Sequence, residues 1–282
     1  TTYDNCNKYD QHFVTTQDEV REFNAWYEAG IADQQNGTTT QDDLFPGYKV
    51  PKSIKNWPAH GDVSLGQDYY LAPFFDFNGD GHYRWEDGDF PWYDIKKTKS
   101  CSIDRSVALY GDQNFWWVMN DKGNIHTETG ADPIGMEIRA QAFAFASNDE
   151  INNMTFYNYE LINRGTQTLY NTYFGFFTDG ALGDPYDDYV GCDVNRGLGY
   201  YYNGDNYDGD NSGYKGYGYS PPAVGVDFFE GPYQDNDGID NAFGIGDNEA
   251  LNGIGYGDGV IDNERFGMRR FLYYSNTTNG AN

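Results

Sequence analysis

The apolar positions of this chain follow a helical period first and a strand period later. Val20, Phe23 and Tyr27, with Trp26 beside them, recur at helical spacing after Thr16 and Glu19, which form a capping-box pattern. Residues 1–35 therefore hold the one clear helix, and Gly30 offers its stop. Residues 36–68 lose periodicity and carry Asn36-Gly37, Pro46-Gly47, Pro51 and Pro58, so they read as loop. Residues 115–119 (FWWVM) predict a buried strand, 120–123 a turn and 124–128 the returning strand. Residues 136–146 form another strand-like run, and 154–162 alternate Tyr157, Tyr159 and Leu161 against Asn158 and Glu160. After a turn at Asn163-Arg164-Gly165, residues 169–178 and 198–202 predict two more aromatic strands. Residues 203–264 are rich in Gly, Asp and Asn, and 265–274 close the chain as a last strand or a short helix.

Short strands with turn signals at intervals of about 8–12 residues suggest a mainly β fold. The expectation is an immunoglobulin-like or jelly-roll β-sandwich with long calcium-binding loops and one N-terminal helix. The stretch from Phe156 to Asp179 looks like an immunoglobulin-type hairpin. Three regions follow: 1–130, a helix plus an irregular calcium-loop region packed on the core; 131–225, the sandwich core; and 226–282, an Asp/Gly-rich calcium-loop region with the closing segment. All three could equally form one domain.

Composition sharpens this picture. The 282 residues include 44 acids and 18 bases, a formal net charge of −26. Such a surface repels nucleic acid and anionic membranes. The acids cluster in Gly/Asn/Asp loops, where cations can neutralise them; solubility or salt adaptation is the plainer reading. An aromatic content of 18% argues against disorder. No apolar run approaches the ~20 residues needed to cross a bilayer, and the chain reads as a soluble piece of a longer, processed protein. Cys6, Cys101 and Cys192 permit one disulfide with three possible connectivities; Cys6–Cys101 is preferred, with free buried thiols as the alternative.

Three acidic constellations could carry chemistry. Residues 76–87 fit D-x-[DN]-x-[DN]-G-x₅-E with Asp87 in the last place. Calcium takes six to eight oxygens at about 2.3–2.6 Å. Here Asp76, Asn78 and Asp80 would supply side chains, His82 its carbonyl, and Asp87 would close the shell, with Gly81 at the sharp turn. Pro73 before the loop, and Gly88 and Pro91 after it, suit a loop between strands that staples the fold, rather than a helix-opening sensor. A plain Asn-Gly/Asp-Gly turn is the alternative. The second constellation is split. Asp235, Asp237 and Asp240 stand in one half, Asp258, Asp262 and Glu264 in the other, and together they resemble the calcium repeats of thrombospondin-type segments. Either the halves fold together around one or two ions, or they are solvated turns. The third, Asp205, Asp208 and Asp210 with Asp184, Asp187, Asp188 and Asp193 upstream, fits no template and reads equally as a flexible acidic loop or a site.

Signals for catalysis are poor. No H-E-x-x-H, G-x-S-x-G or P-loop motif is present, and His60, His82 and His126 have no zinc-protease context. Any two acids could mimic a glycosidase pair, which the sequence cannot test. Trp85, Trp92, Trp116, Trp117 and Tyr200–Tyr202 could stack on sugars, although a core role is simpler.

Several stretches resemble large secreted Bacteroidota proteins exported by the type IX system. They are residues 57–62 (WPAHGD), 66–74 (GQDYYLAPF), the 76–89 loop, 135–138 (GMEI), 187–191 (DDYVG) and 255–259 (GYGDG). The resemblance implies an extracellular, cell-surface location and no known activity. The leading expectation is thus a non-catalytic, calcium-stabilised structural or adhesive module. Its partners would be Ca²⁺ and either surface glycans or other copies and subunits of a surface assembly. A carbohydrate-binding module and a secreted hydrolase of glycans or peptides are the alternatives.

Overall fold

Thr16 adopts extended backbone, φ −118° and ψ 155°, and its hydroxyl accepts from the Glu19 N–H at 3.2 Å while Glu19 Oε2 accepts from the Thr16 N–H at 3.3 Å. Two of the four orphan donors at a helix start are thereby satisfied. The helix that follows runs on past Gly30 to Asn36 and ends at Gly37, in the left-handed conformation with φ 69°. Gly30 is therefore not the stop. A Cβ there would lie 2.5 Å from Gln41 Nε2, which donates to the Trp26 carbonyl, so Gly30 permits a close approach of the next segment.

The computed structural model describes residues 3–93, 109–123, 125–234, 236–242 and 253–274. In chain order the first compact unit, up to Asn171, contains α1 (Tyr3–Tyr9), β1 (Phe13–Thr16), α2 (Gln17–Asn36), α3 (Thr40–Leu44), α4 (Lys52–Lys55), β2 (Phe74–Phe75), β3 (Phe90–Pro91), β4 (Gln113–Asn120), β5 (Met136–Ala144) and β6 (Thr155–Asn163). The second unit, from Thr172, contains β7 (Asp188–Asp193), β8 (Leu198–Asn203), β9 (Tyr207–Asp208), β10 (Gly218–Tyr219) and β11 (Ala223–Asp227). The division after Asn171 falls at neither 130 nor 225: β4 and β5 pair across the first, and β11, which pairs with β8, spans the second.

The fold is mainly β, and its named ladders are antiparallel. In the first unit the sheet order is β1-β4-β5-β6. Trp116 of β4 turns inward and joins Val20 and Phe23 of α2, Ile54, Trp57, Phe75, Phe90 and Leu109 in the core. The irregular 48–75 segment thus lies over the sheet and buries apolar side chains itself, as long ordered loops tend to do. Arg139 and Arg164 tie it down from the sheet side, both pairing with Asp68 and Glu137. In the second unit the main sheet has order β11-β8-β7, with a small β9–β10 ladder.

Two expected strands are absent. Residues 125–128 form loop and turn, and Asn124 lies outside the described residues. The Asp121 carboxylate instead accepts from the N–H groups of Ile134, Gly135 and Met136, so the returning strand is pinned to start at Met136. Residues 169–178 form no ladder, and Tyr170 and Phe177 are largely exposed. Residues 265–274 are neither strand nor helix beyond an isolated bridge at Arg265. Cys6 is exposed and Cys192 half-buried, while Cys101, and with it the preferred pairing, lies outside the described residues. Among the described residues no helix is long and apolar enough to cross a membrane.

At the end of α2, Asp33 accepts from the backbone N–H groups of Thr40 (2.9 Å) and Gln41 (2.7 Å) and from the Thr38 hydroxyl. The Gln41 N–H, then Thr38, hold its carboxyl down at about 2, against an ordinary 3.8. A depressed folded-state pKa gives stability that is present above the unfolded value and lost as pH falls through the folded one. The stability advantage of wild type over Asp33→Asn should therefore be constant above pH ~5, shrink below pH ~4 and be lost only as pH falls through and below ~2, read from urea midpoints across that range.

Candidate metal centres

The 76–89 loop hangs between β2 and β3, whose ladder pairs Phe74 with Pro91 and Phe75 with Phe90. Its first half is wound by carboxylates that accept backbone N–H groups. Asp76 Oδ1 accepts from Gly79 (2.9 Å) and Asp80 (3.2 Å), and Oδ2 from Gly81 (2.8 Å). Asn78 Oδ1 accepts from the Asp80 N–H at 3.0 Å, and Asp80 Oδ1 from the His82 N–H at 2.7 Å. Gly79 and Gly81 have φ of 73° and 75°, which residues with a Cβ rarely adopt. Asp76, Asn78 and Asp80 are thus gathered in one turn, as the spacing predicts.

The second half differs from a simple ion shell. The Arg84 guanidinium bonds Asp80 and, through Nε, reaches Asp87 Oδ2 at 2.6 Å. A protein cation therefore already spans the two carboxylates that would close the shell, and an incoming ion must displace it. One acid here escaped the sequence reading. Asp89 is fully buried, with Oδ1 accepting from the Phe77 N–H (2.9 Å) and Oδ2 from the Arg84 N–H (2.8 Å), so it clamps both ends of the loop. Burial pushes its carboxyl up to about 6, against those two N–H groups, with Asp76 and Asp80 adding to the rise.

The split constellation is brought together. Asp262 Oδ1 accepts from the Gly238 N–H at 2.8 Å, and Glu264 Oε1 accepts from the Asn241 N–H. Asp240 accepts from the N–H groups of Gly257 and Gly259, both at 2.7 Å. Asp258 accepts from Val260 N–H and Asn263 Nδ2. Asp237 is exposed and, among the described residues, accepts from its local Ile239 N–H at 2.9 Å; Asp235 lies outside the described residues. The two halves are laced by reciprocal bonds between Ile254 and Arg265 and by the Gln234 N–H donating to the Glu264 carbonyl.

Among the described residues, three buried oxygens inside this lacing have no hydrogen-bond partner: Glu264 Oε2, Asn241 Oδ1 and Asn263 Oδ1. Glu264 as a whole is 1% exposed. An unsatisfied buried acceptor costs about 1–3 kcal/mol, and more when charged. Carboxylate and amide oxygens of this kind are the donors that calcium prefers. Asn241 and Asn263 were not among the sequence candidates, although each follows an Asp in the repeated Asp-Asn pair. The donor chemistry fits calcium here better than in the 76–87 loop, where Arg84 supplies a positive charge. Among the described residues no three Asp, Glu, His or Cys side chains form a finished metal cage. The fit rests on the orphaned oxygens, two of which are amide oxygens.

The histidines have structural partners. His60 Nδ1 faces the Tyr69 carbonyl at 3.1 Å and its Nε2 accepts from the Tyr83 N–H at 2.7 Å, which consumes the lone pair a base or ligand would use. His82 Nδ1 meets the Tyr69 hydroxyl, and His126 Nε2 the Asp121 carbonyl at 2.9 Å.

Glu264→Gln keeps the shape of the side chain and removes its charge. In calcium-free buffer the variant should be at least as stable as wild type, and the stabilisation on adding calcium should shrink. Thermal unfolding in chelator and in calcium measures both; an undiminished calcium gain would remove Glu264 from the shell.

No family model, curated protein or solved structure matches this chain.

Proposed function

We propose that this chain is a non-catalytic, calcium-stapled module of a secreted cell-surface protein, with a structural or adhesive task. The observation that carries the reading is the trio of buried, unpartnered oxygens on Glu264, Asn241 and Asn263 where the two acidic segments are laced together. Long glycine-rich loops and a net charge of −26 support it, because cations would both neutralise and order such segments. The extracellular location rests on the resemblance to type IX-exported Bacteroidota proteins. The sandwich form, immunoglobulin-like or jelly-roll, belongs to the same proposal and rests on the antiparallel ladders alone. Calcium ions are the first partners; surface glycans or further copies of the assembly are the second.

An ion that binds only the folded state adds RT ln(1 + [L]/Kd), about 2.7 kcal/mol at a hundredfold excess over Kd. Calcium at that level should raise the melting temperature of the full chain by ~5–10 °C for a protein of this size, and EDTA should reverse the gain. Calorimetry with an identical melting temperature in EDTA and in calcium would sink the proposal.

Sugar binding is favoured by one observation. Tyr189 and Tyr202 face each other across β7 and β8, stacked at 6.0 Å and well exposed, with Tyr200 5.8 Å further along. Such a row suits the flat face of a pyranose. The six tryptophans are all buried or half-buried and offer less. Oligosaccharide binding on a glycan array, lost in Tyr189→Ala/Tyr202→Ala, is the expected result; a blank array for wild type removes this reading.

A further inference from the structure

The second unit contains a further group of acids that the sequence pattern could not assign. Asp188 opens β7 and Asn203 ends β8, and the two are direct partners in the antiparallel ladder. Directly opposed residues present their side chains on the same face. Asn203 is more than nine-tenths buried, at 7% exposure. Its Nδ2 donates to the Asp205 carbonyl at 3.2 Å, and its Oδ1 is buried without a partner. Turning the amide over would set Oδ1 against that carbonyl, so the amide's orientation is fixed by chemistry.

Other acids lie near Asp188: Asp184, Asp187 and Asp208. Asp188 Oδ2 accepts from the Leu182 N–H at 2.9 Å, while its Oδ1 is buried and unpartnered, as is Asp187 Oδ1. Asp208, 1% exposed, accepts from the N–H groups of Asp184 (3.1 Å) and Tyr217 (2.7 Å). Asp184, 6% exposed, accepts from the Tyr186 N–H and from Asn211 Nδ2 at 2.8 Å. Gly183, with φ 72°, allows the chain to pass Asp208; a Cβ there would lie 1.9 Å from Asp208 Oδ2.

No basic side chain answers these charges among the described residues. In this unit Arg196 pairs with Asp193, Lys215 with Asp210 and Arg265 with Glu230, and Arg269 donates to the Tyr173 hydroxyl. Burial raises the Asp187 carboxyl, and Asp184 and Asp208 raise it further; Asp188 is raised by burial and by Asp187, Asp208 and Asp184. Clustered buried carboxylates without a counter-charge are strongly unfavourable. The available donors are all oxygen, which selects a hard ion over zinc or copper.

We propose that Asp184, Asp187, Asp188, Asn203 and Asp208 hold a hard divalent cation of the calcium class, at a site separate from both sequence-predicted loops. The unpartnered oxygens of Asp187, Asp188 and Asn203 are its primary ligands. The carboxylates do not yet form a finished cage; the ion would draw Asp187 and Asp188 inward, while Asp208 and Asp184 are fixed by their backbone donors. The inference extends the calcium reading to a new site and does not require either motif loop to bind.

Native mass spectrometry of the full chain, equilibrated with calcium, counts bound ions. Asp187→Asn/Asp188→Asn should carry one ion fewer than wild type, and Glu264→Gln should lose a different one, so that the triple variant loses two. If the double variant fails to fold by circular dichroism, Asp187→Asn alone is titrated with calcium, and one class of sites should weaken about tenfold or more. A full wild-type ion count in the double variant, or unchanged titration of the single one, overturns the proposal. A drop with Glu264→Gln alone would leave the motif reading standing while this site falls; a wild-type chain that retains no calcium would remove both.

Discussion

The governing constraint is that 18 basic side chains cannot neutralise 44 acidic ones. In the first unit the scarce cations are placed where loops meet the sheet: Arg139 and Arg164 on Asp68 and Glu137, and Arg84 across Asp80 and Asp87. In the second unit Arg196, Lys215 and Arg265 sit on peripheral acids, and among the described residues the buried ones, Glu264, Asp184 and Asp208, form no ion pair. What those acids receive instead is backbone N–H groups. Each such bond stabilises a carboxylate modestly, and none supplies the net positive charge that burial calls for.

The same device explains how long loops stay ordered with so little helix or strand. Asp62, Asp80, Asp149, Asp184, Asp205, Asp237 and Asp258 each accept the N–H of the residue two further along. This is the short Asx-type turn, in which a side chain stands in for a backbone carbonyl. Repeated along a Gly/Asp/Asn-rich chain, it fixes local direction without a ladder. It also aims the second oxygen of the carboxylate away from the turn, where another segment or an ion can use it. Local structure and cation chemistry therefore share one set of residues, and a sequence rich in one is rich in the other.

Legibility in the sequence followed the range of the interactions. The Thr16–Glu19 box and the strands β4, β5 and β6 were readable because their signals are local and periodic. Gly30 misled because a glycine that admits Gln41 looks the same in sequence as one that ends a helix. Residues 169–178 misled because aromatic alternation describes a surface suited to a sheet, and a strand also needs a partner ladder, which these residues lack. At the sites, the turn from Asp76 to Gly81 was legible through its fixed spacing. The roles of Arg84 and Asp89 were not, since both depend on how the loop closes on β3. The acids from Asp184 to Asp208 could be grouped in the sequence but matched no template, because they come from two segments brought together by the β7–β8 ladder and by the Asp184 N–H donating to Asp208.

Relative magnitudes decide which part of the split motif matters. An insertion separates Asp240 from Asp258, and it invites the view that the halves are too far apart in sequence to form one site. Doubling a loop's length costs only about 0.6 kcal/mol in closure entropy. Leaving a buried carboxylate without a counter-charge costs several kcal/mol. The insertion is thus a small penalty, and the lacing of Gly238, Asn241, Gly257 and Gly259 onto Asp262, Glu264 and Asp240 can outweigh it. The burial of Glu264, at 1% exposure, weighs more heavily than the insertion, so the length of the intervening segment does not decide whether the halves form one site.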